Sequence, residues 1–303
     1  MAPGDRPTQT RAGGQRRGRQ RSGRPPGRGR PVESRRAPDV VPVLPPLEDD
    51  RRPAIAANRR RALLGTALPA AVLIAVLLAV IALGAPLVVM VAAAAVVAAA
   101  AAMPWFLASK SLARRLGGAP ADDVEEARLY SVVEGVCLAA GLPRPELLVL
   151  EDPAPNAISL GTSPADAVLI CTRGLLELAD RIELEAVVAH ELSHVRAGDT
   201  LSGGIAAYTV GRVAPALAAR MSGIARESLA DQTAVSLTRY PPGLISVLGK
   251  LADAPTTRPV LGPRTVRATN HLWLVPPVPE PEGAKTHRGA LDVQDRVALL
   301  REL

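Results

Sequence analysis

The stretch LEAVVAHELSHVRAGD, residues 184–199, places two of the chain's four histidines four positions apart, with a glutamate directly after the first. Residues i and i+4 of a helix lie on the same face, so His190 and His194 can direct imidazole nitrogens at one point. Zinc accepts such nitrogens and, in hydrolytic sites, leaves one coordination position to water. Glu191 is then placed to take the proton of that water. These side chains would be costly to bury in an apolar helix without a metal or partners, so the stretch predicts a zinc site.

The sequence around this stretch predicts a mixed α and β domain. Asp180, with Glu183 three residues later, forms a capping-box start, and Gly198 stands where a C-terminal cap is expected. A helix is therefore predicted over about residues 181–197. The other predicted elements are a helix in DDVEEARLYSVVEGVCLAAGL that ends at Gly141, strands in PELLVLE and DAVLICT, and a shorter strand in NAISLG, which we expect at the sheet edge.

A hydrolytic zinc site needs a third protein ligand, for which the residues leave two sources. One is a remaining histidine, either His287 or His271, although His271 lies in the apolar NHLWLV and is interpreted as structural. The other is an acidic residue on a second helix, because ARESLADQTAVSL puts Glu227 and Asp231 on one face, four positions apart. Glu227 would then bind zinc. Asp231 would hydrogen-bond a ligating histidine, a role that Asp199 could share.

The basic charge of the chain belongs to its first 61 residues. They hold 16 arginines, no lysine and 6 acidic residues, a net charge of +10, so residues 62–303 contribute −3 to the total of +7. This segment is rich in Arg, Pro and Gly and has little to bury, so it is predicted to be a disordered tail and not a signal peptide. It is either an electrostatic arm for anionic lipid or a solvated tail that fixes topology. Without aromatic residues among the arginines, nucleic acid is the less favoured partner.

No charged residue occurs from Ala62 to Ser109, a run of 48 residues. A continuous helix of that length would measure about 72 Å, more than twice the ~30 Å of a bilayer core, so two spans fit better. The break falls at Gly84 to Pro86, where Gly permits a turn and Pro cannot continue a helix. Residues 62–109 are therefore predicted to form a transmembrane helical hairpin.

Charges that flank the hairpin indicate its orientation. Three arginines precede it at positions 59–61, and Lys110, Arg114 and Arg115 follow it, whereas the turn is uncharged. The positive-inside bias then predicts a multi-pass protein of the cell membrane, with its N-terminus and the domain from about residue 117 in the cytoplasm. If the Ala-rich second span did not insert, everything downstream would lie outside instead. The two cysteines are too few for a disulfide framework and fit a reducing compartment.

Several motifs, taken in order, resemble those of one family. HELSH followed by AGD, RESLAD downstream, PNAISLG upstream and the terminal DVQDRVALLREL together resemble the HtpX-like membrane zinc endopeptidases, relatives of the CAAX prenyl proteases. The resemblance covers roughly residues 63–303 and leaves out the tail. It implies an α+β fold in which the transmembrane hairpin is followed by a zincin-like metalloprotease domain at 117–303, mostly helical with a small sheet.

The resemblance also implies the site. It implies a gluzincin centre with one Zn²⁺ per chain, held by His190, His194 and Glu227. Glu191 is then the general base. The segment around Asn156 and Ala157 is implied to form an edge strand, along which an extended protein or peptide substrate adds as a further strand.

The sequence departs from the family pattern in two places. Members often have two further spans between the histidine helix and the glutamate helix, but His194 and Glu227 are only 33 positions apart, which predicts two spans, not four. Residues 201–223 should then be a helix packed on the domain or lying in the membrane interface. The family also tends to show a His-Pro pair and an arginine some six residues later, whereas here an arginine follows His287, and Arg296 comes nine residues after it. His287 and Arg296 are each expected either to stabilise the oxyanion of the tetrahedral intermediate or to be surface residues.

These observations favour a membrane-anchored zinc endopeptidase that cleaves extended segments of membrane or misfolded proteins. Gating by the hairpin, by residues 201–223 or by the tail would protect the cytosol from such a site. Two alternatives stay open, a catalytically silent membrane scaffold of the same fold and an anchor for anionic lipid or nucleic acid that acts through the tail. The intact ligand set and Glu191 argue against the scaffold.

Overall fold

The structure, a computed structural model, describes residues 52–223, 226–254, 262–278 and 292–303. The described helices are α1 (Arg52–Ala82), α2 (Leu87–Leu116), α3 (Ala127–Ala140), α4 (Arg173–Leu178), α5 (Arg181–Ala197), α6 (Asp199–Thr209), α7 (Pro215–Ser222), α8 (Arg226–Thr238), α9 (Pro241–Asp253), α10 (Pro263–Thr269) and α11 (Val293–Leu300). The described strands are β1 (Ala119–Pro120), β2 (Glu146–Leu150), β3 (Ala157–Leu160) and β4 (Val168–Thr172). Two long apolar helices followed by a mostly helical domain with one small sheet confirm the predicted α+β fold.

The first two helices form the predicted hairpin. Both are long and apolar enough to cross a membrane, by length and composition, and little of either apolar stretch is buried in the protein. The chain turns between them at Gly84, whose φ of 73° is in the left-handed region, and α2 begins directly after Pro86. The predicted break is therefore confirmed, because these two residue types end one helix and start the next.

Helix α1 begins earlier than predicted. It starts at Arg52, so residues 52–61 are helical and do not belong to a disordered tail. The physical reason is a long-range contact, in which the buried Asn58 donates its amide Nδ2 to the carbonyl oxygen of Ala197, at 3.0 Å. The rest of the predicted tail, residues 1–51, lies outside the described residues.

Helix α2 runs beyond the predicted end of the hairpin at residue 109. Its last turns bury Leu112 and Leu116 against Ile158 of β3 and Ile170 of β4. The domain therefore includes part of α2, upstream of the predicted boundary at residue 117.

The four strands form one sheet in the order β1-β2-β4-β3, in which β2 and β4 are parallel and the other pairs are antiparallel. The three strands predicted from the sequence correspond to β2, β3 and β4, and β3 lies at one end of this order. Both faces of the sheet are covered, since side chains alternate along a strand. Leu147 and Val149 pack with α3 and α5, whereas Leu148 and Leu150 pack with α2.

Helix α5 begins and ends where the sequence predicts. The side chain of Asp180 accepts from the Glu183 amide, and that of Glu183 accepts from the Asp180 amide, each at 2.9 Å. Gly198 ends the helix with a φ of 69°. The helix is buried along most of its length because α3, α8, α9 and the sheet all contact it.

The interval after α5 forms two helices in place of the single helix predicted over residues 201–223. Helix α6 packs against α1 and α2 and buries Ile205 and Ala207, while α7 begins at Pro215 after a short break. A proline at the first helical position, preceded by a turn that contains Arg212, explains the interruption.

Glu183 also links α5 to α9, which gives a pH-dependent prediction. Burial disfavours its ionised form, but contacts with Lys250 (2.7 Å) and Ser246 (2.6 Å) hold its pKa below the ordinary 4.5. A depressed folded-state pKa stabilises the protein above pH 4.5, and that stability is lost as pH falls through the folded value. We expect Glu183→Gln to unfold at lower denaturant concentration than the wild type at pH 7, with the difference shrinking at pH 3. An equal difference at both pH values would contradict an ionic role.

Candidate metal centre

Two helices supply the side chains of the site. Helix α5 contributes His190, Glu191 and His194, all at most 1% exposed, and α8 contributes Glu227 and Asp231. The two helices pack directly on each other, so the i, i+4 pairs of both face the same space. The sequence prediction that these residues share one site is consistent with this packing.

The three predicted ligands converge. One ligand atom from each of His190, His194 and Glu227 lies within 4.8 Å of the others. The Nε2 atoms of the two histidines are 3.2 Å apart, and the Glu227 carboxylate oxygens are 3.3 and 3.6 Å from them. His271 does not belong to this cluster, which is the one that the described residues form. His287 lies outside the described residues.

The opposite nitrogen of each imidazole contacts a carboxylate. His190 Nδ1 is 2.8 Å from Asp231 Oδ1, and His194 Nδ1 is 3.0 Å from Asp199 Oδ2. Because an ionised carboxylate only accepts hydrogen bonds, each Nδ1 carries a proton and each Nε2 is the nitrogen that can turn a lone pair toward a metal. Two Nε2 atoms at 3.2 Å repel each other unless a proton or a metal ion lies between them, so this donor set fits a metal ion.

The formal charges of the residues around the ligand atoms also fit a divalent cation. Four carboxylates face two guanidinium groups, a formal net charge of −2, from Asp199, Asp231, Glu191 and Glu227 against Arg226 and Arg296. Both carboxylate oxygens of Glu191 are buried and have no hydrogen-bond partner in the described part of the chain, and the same holds for Oε2 of Glu227. Buried charges of this kind are stable only when paired or bound to a metal.

Hydrogen bonds shift the titration of the site groups away from their ordinary ranges. Burial opposes protonation of His190, but its contacts with Asp231 and Glu227 raise its pKa to about 9. Burial likewise opposes ionisation of Glu227, yet its contact with His190 and the charges of Arg226 and Arg296 hold its pKa far below the usual range. Burial also acts to raise the pKa of Asp231, but the charge and hydrogen bonds of Arg296 favour the carboxylate. The net effect is a pKa below the ordinary value. In the metal-free protein, His190 therefore keeps a proton that a metal ion must displace.

Arg296 reaches the site, but its donors face protein groups. Its Nε and Nη2 donate to the two oxygens of Asp231, at 2.8 and 2.7 Å, and its Nη1 donates to the Leu274 carbonyl at 2.7 Å. The expected surface role of Arg296 is wrong, because its buried guanidinium holds the carboxylate that orients His190, whereas the expected oxyanion contact stays a prediction. Arg226 is the residue that the sequence analysis missed. Arg226 directly precedes Glu227 in the sequence, which could have suggested a place in the site. Helix spacing alone, however, does not predict that the residue before Glu227 faces the buried side of α8.

The edge of β3 at Asn156 and Ala157 is paired with another segment of the chain, and the addition of a substrate strand there stays a prediction. Residues 273–275, here called the edge segment, run antiparallel beside β3. The Leu274 amide donates to the Ala157 carbonyl at 3.0 Å. The Asn156 side chain donates to the Val275 carbonyl at 2.6 Å and accepts from the Val275 amide at 3.2 Å. The Ala157 carbonyl and the Asn156 side chain, which a substrate strand would meet at this edge, therefore bind the edge segment.

Burial holds the edge segment in place. Trp273 and Leu274 are each 1% exposed, and Trp273 packs in the cluster that contains Ile158 and Ile170. Exposing two such side chains would cost roughly 3–6 kcal/mol before any hydrogen bond is lost. A substrate strand would have to overcome this cost to take the place of the edge segment.

Comparison with known proteins agrees with this arrangement. Residues 123–254 match the model of peptidase family M48, a span that includes α5 and α8. The chain is 35% identical over 188 residues to a protein named Protease HtpX homolog from Dictyoglomus thermophilum, covering 50% of this chain and 61% of that protein. It is 33% identical over 215 residues to the homolog from Tropheryma whipplei strain TW08/27, covering 58% of this chain and 72% of that protein. The chain belongs to the HtpX-like proteases of peptidase family M48.

A second Dictyoglomus protein, the Protease HtpX homolog of D. turgidum, is 32% identical over 211 residues, 57% of this chain and 68% of that protein. No solved structure matches the chain. The M48 family is metal-dependent, which agrees with the cluster of two histidines and a glutamate. With two apolar helices ahead of the peptidase domain, this HtpX-like protease is a membrane protein.

Asn156 either holds the edge segment against β3 or contacts the substrate, and its hydrogen bonds allow the two roles to be distinguished. If it holds the edge segment, Asn156→Ala loses the two bonds to Val275 and one to the Ala157 amide, and should destabilise the protein by about 1–3 kcal/mol. We expect a lower melting temperature with an unchanged KM for peptide substrate. A raised KM with an unchanged melting temperature would instead indicate direct substrate contact.

Proposed function

We propose that this HtpX-like protein is a zinc endopeptidase in which His190, His194 and Glu227 hold one Zn²⁺ per chain. The observation that carries the proposal is the convergence of their ligand atoms within 4.8 Å, next to a glutamate whose carboxylate has no hydrogen-bond partner among the residues that the structure describes. Two histidine nitrogens and one carboxylate leave a fourth tetrahedral position for water, as hydrolytic zinc sites require.

Zinc, when bound, would polarise the scissile carbonyl and lower the pKa of its water. Glu191 follows His190 directly in the chain, so it lies beside the ligand set and not within it. Its unpartnered carboxylate accepts the proton of the attacking water and later delivers it to the leaving amine. Glu191 is 0% exposed, and burial strengthens its interactions with charges that develop during the reaction.

Asp231 and Asp199 orient the imidazoles in this proposal. Each accepts from an Nδ1 atom, so each histidine is held in the tautomer that turns Nε2 toward the metal. Such partners usually affect metal affinity nearly as strongly as the ligands themselves.

The proposed substrates are extended segments of membrane or misfolded proteins. The packing of the first turns of α1 and the last turns of α2 on the domain supports this choice, because it joins the metal centre to the two apolar helices. Strand addition at Asn156 and Ala157 requires the edge segment to leave β3. Contacts of the N-terminal tail with anionic lipid concern residues outside the described part of the chain, and we propose no nucleic-acid partner.

The test of catalysis compares Glu191→Gln with the wild type. Both proteins, purified in detergent, should contain one zinc per chain, because Glu191 does not bind the metal. Cleavage of casein should fall at least about 100-fold in the variant through loss of the general base. Glu185→Gln, on the same helix, is the control and should cleave normally. Zinc in both proteins with cleavage in neither would support the catalytically silent scaffold.

We further propose that both chain ends and the peptidase domain lie in the cytoplasm of a multi-pass plasma-membrane protein. Leu83, in the hairpin turn, and Leu138, in α3, are equally exposed at 86%, and the native Cys137 and Cys171 are buried. An impermeant maleimide applied to intact spheroplasts should label Leu83→Cys but not Leu138→Cys. After lysis both should react. The reverse pattern would place the domain outside.

A further inference from the structure

The two imidazoles are held by matched sets of residues. On one side, Asp231 binds His190 and receives the paired donors of Arg296. On the other side, Asp199 binds His194, and Arg226 Nε lies 3.4 Å from Asp199 Oδ1. The site therefore has two arms of the same composition, each a histidine, an aspartate and an arginine.

Both arms also meet at the third ligand. Arg226 Nη1 is 3.4 Å from Glu227 Oε1, and Arg296 Nη1 is 3.5 Å from Glu227 Oε2. The two guanidinium groups thus contact opposite oxygens of one carboxylate. A carboxylate held from both sides keeps its orientation toward the imidazoles with little freedom to rotate.

The arginines connect this centre to the backbone beside the sheet. Arg226 Nη1 donates to the His271 carbonyl at 2.8 Å, and Arg296 Nη1 donates to the Leu274 carbonyl at 2.7 Å. Arg226 is 6% exposed, so its charge is compensated by buried groups and not by solvent. Its Nε and Nη2 satisfy no full hydrogen bond among the described residues, although Nε lies near Asp199. A buried arginine with donors that lack full hydrogen bonds requires an explanation, and its contacts with Asp199 and Glu227 provide one.

We propose that Arg226 is a positioning residue that completes the second arm, fixing Asp199, and through it His194, together with one oxygen of Glu227. The inference rests on the proposed zinc site and adds to it a residue on the opposite side from Arg296. Arg226 acts through these groups and does not bind the metal.

Arg226→Lys distinguishes the effect of the positive charge from the effect of the guanidinium geometry. Arg226→Lys keeps one positive charge near Glu227, so the Coulomb repulsion of a metal ion changes little. It loses the planar fork that reaches Asp199, Glu227 and the His271 carbonyl together. We expect zinc affinity, measured by competition with a chromophoric chelator, to fall about tenfold. The visible absorption bands of the cobalt-substituted protein should also shift, because they report ligand geometry and not stability. Arg220→Lys, on the exposed side of α7, is the matched control and should change neither reading.

A double-mutant cycle tests whether the arms are separate. In an Asp199→Asn background, Arg226→Lys should have a smaller effect on affinity, because only the contact of Arg226 with Glu227 remains to be lost. In an Asp231→Asn background it should still cost about tenfold. If Arg226→Lys does not fold, Asp199→Asn alone must give the shifted cobalt spectrum, and an unshifted spectrum overturns the proposal.

The outcomes separate this inference from the proposed function. No zinc in the wild-type protein would refute the zinc endopeptidase itself. Stoichiometric zinc in the wild type, with wild-type affinity and cobalt bands in a folded Arg226→Lys protein, would refute the role of Arg226 alone. Equal losses in both aspartate backgrounds would show that Arg226 does not act through Asp199.

Discussion

Two imidazole nitrogens held 3.2 Å apart in a buried space constrain the structure around them. Their lone pairs repel, so the pair is stable only with a cation or a proton between them, and a cation requires nearby negative charge. The carboxylates that supply this charge are themselves costly to bury, and Asp199, Asp231 and Glu227 each contact a histidine and an arginine. Removal of one of these partners leaves a charge without compensation, whereas Glu191 has no hydrogen-bond partner in the described part of the chain.

Helix α5 can hold this cluster because its other sides are supported by apolar packing. The sheet, α3 and α9 cover it with aliphatic side chains, and capping residues at both ends fix where the helix starts and stops. The metal-facing side chains therefore project from a helix that has no freedom to slide or rotate. The site is precise because the scaffold is rigid, as enzyme sites built on packed helices generally are.

Local signals in the sequence predicted the parts of the site that depend on neighbours along the chain. The capping residues Asp180 and Gly198 fixed the bounds of α5, and i, i+4 spacing placed His190 with His194 and Glu227 with Asp231. The missed features depend on contacts between distant segments. Arg226 is buried because of the way α8 packs on α5, and the edge segment pairs with β3 across more than 100 residues of chain. Residues 52–61 were predicted to belong to the tail. The contact that orders them, between Asn58 and Ala197, joins residues 139 positions apart and leaves no local signal in the sequence.

The contact between Asn58 and Ala197 means that membrane anchor and enzyme are one folding unit. The amide of Asn58 caps the carboxyl end of the metal-binding helix, and the inner turns of α2 fill a face of the sheet. A fragment released by cleavage between hairpin and domain would leave that helix end uncapped and leave Leu148 and Ile170 without their cover. The protein could therefore lose α1 and α2 only if the face of the sheet that packs on α2 were rebuilt.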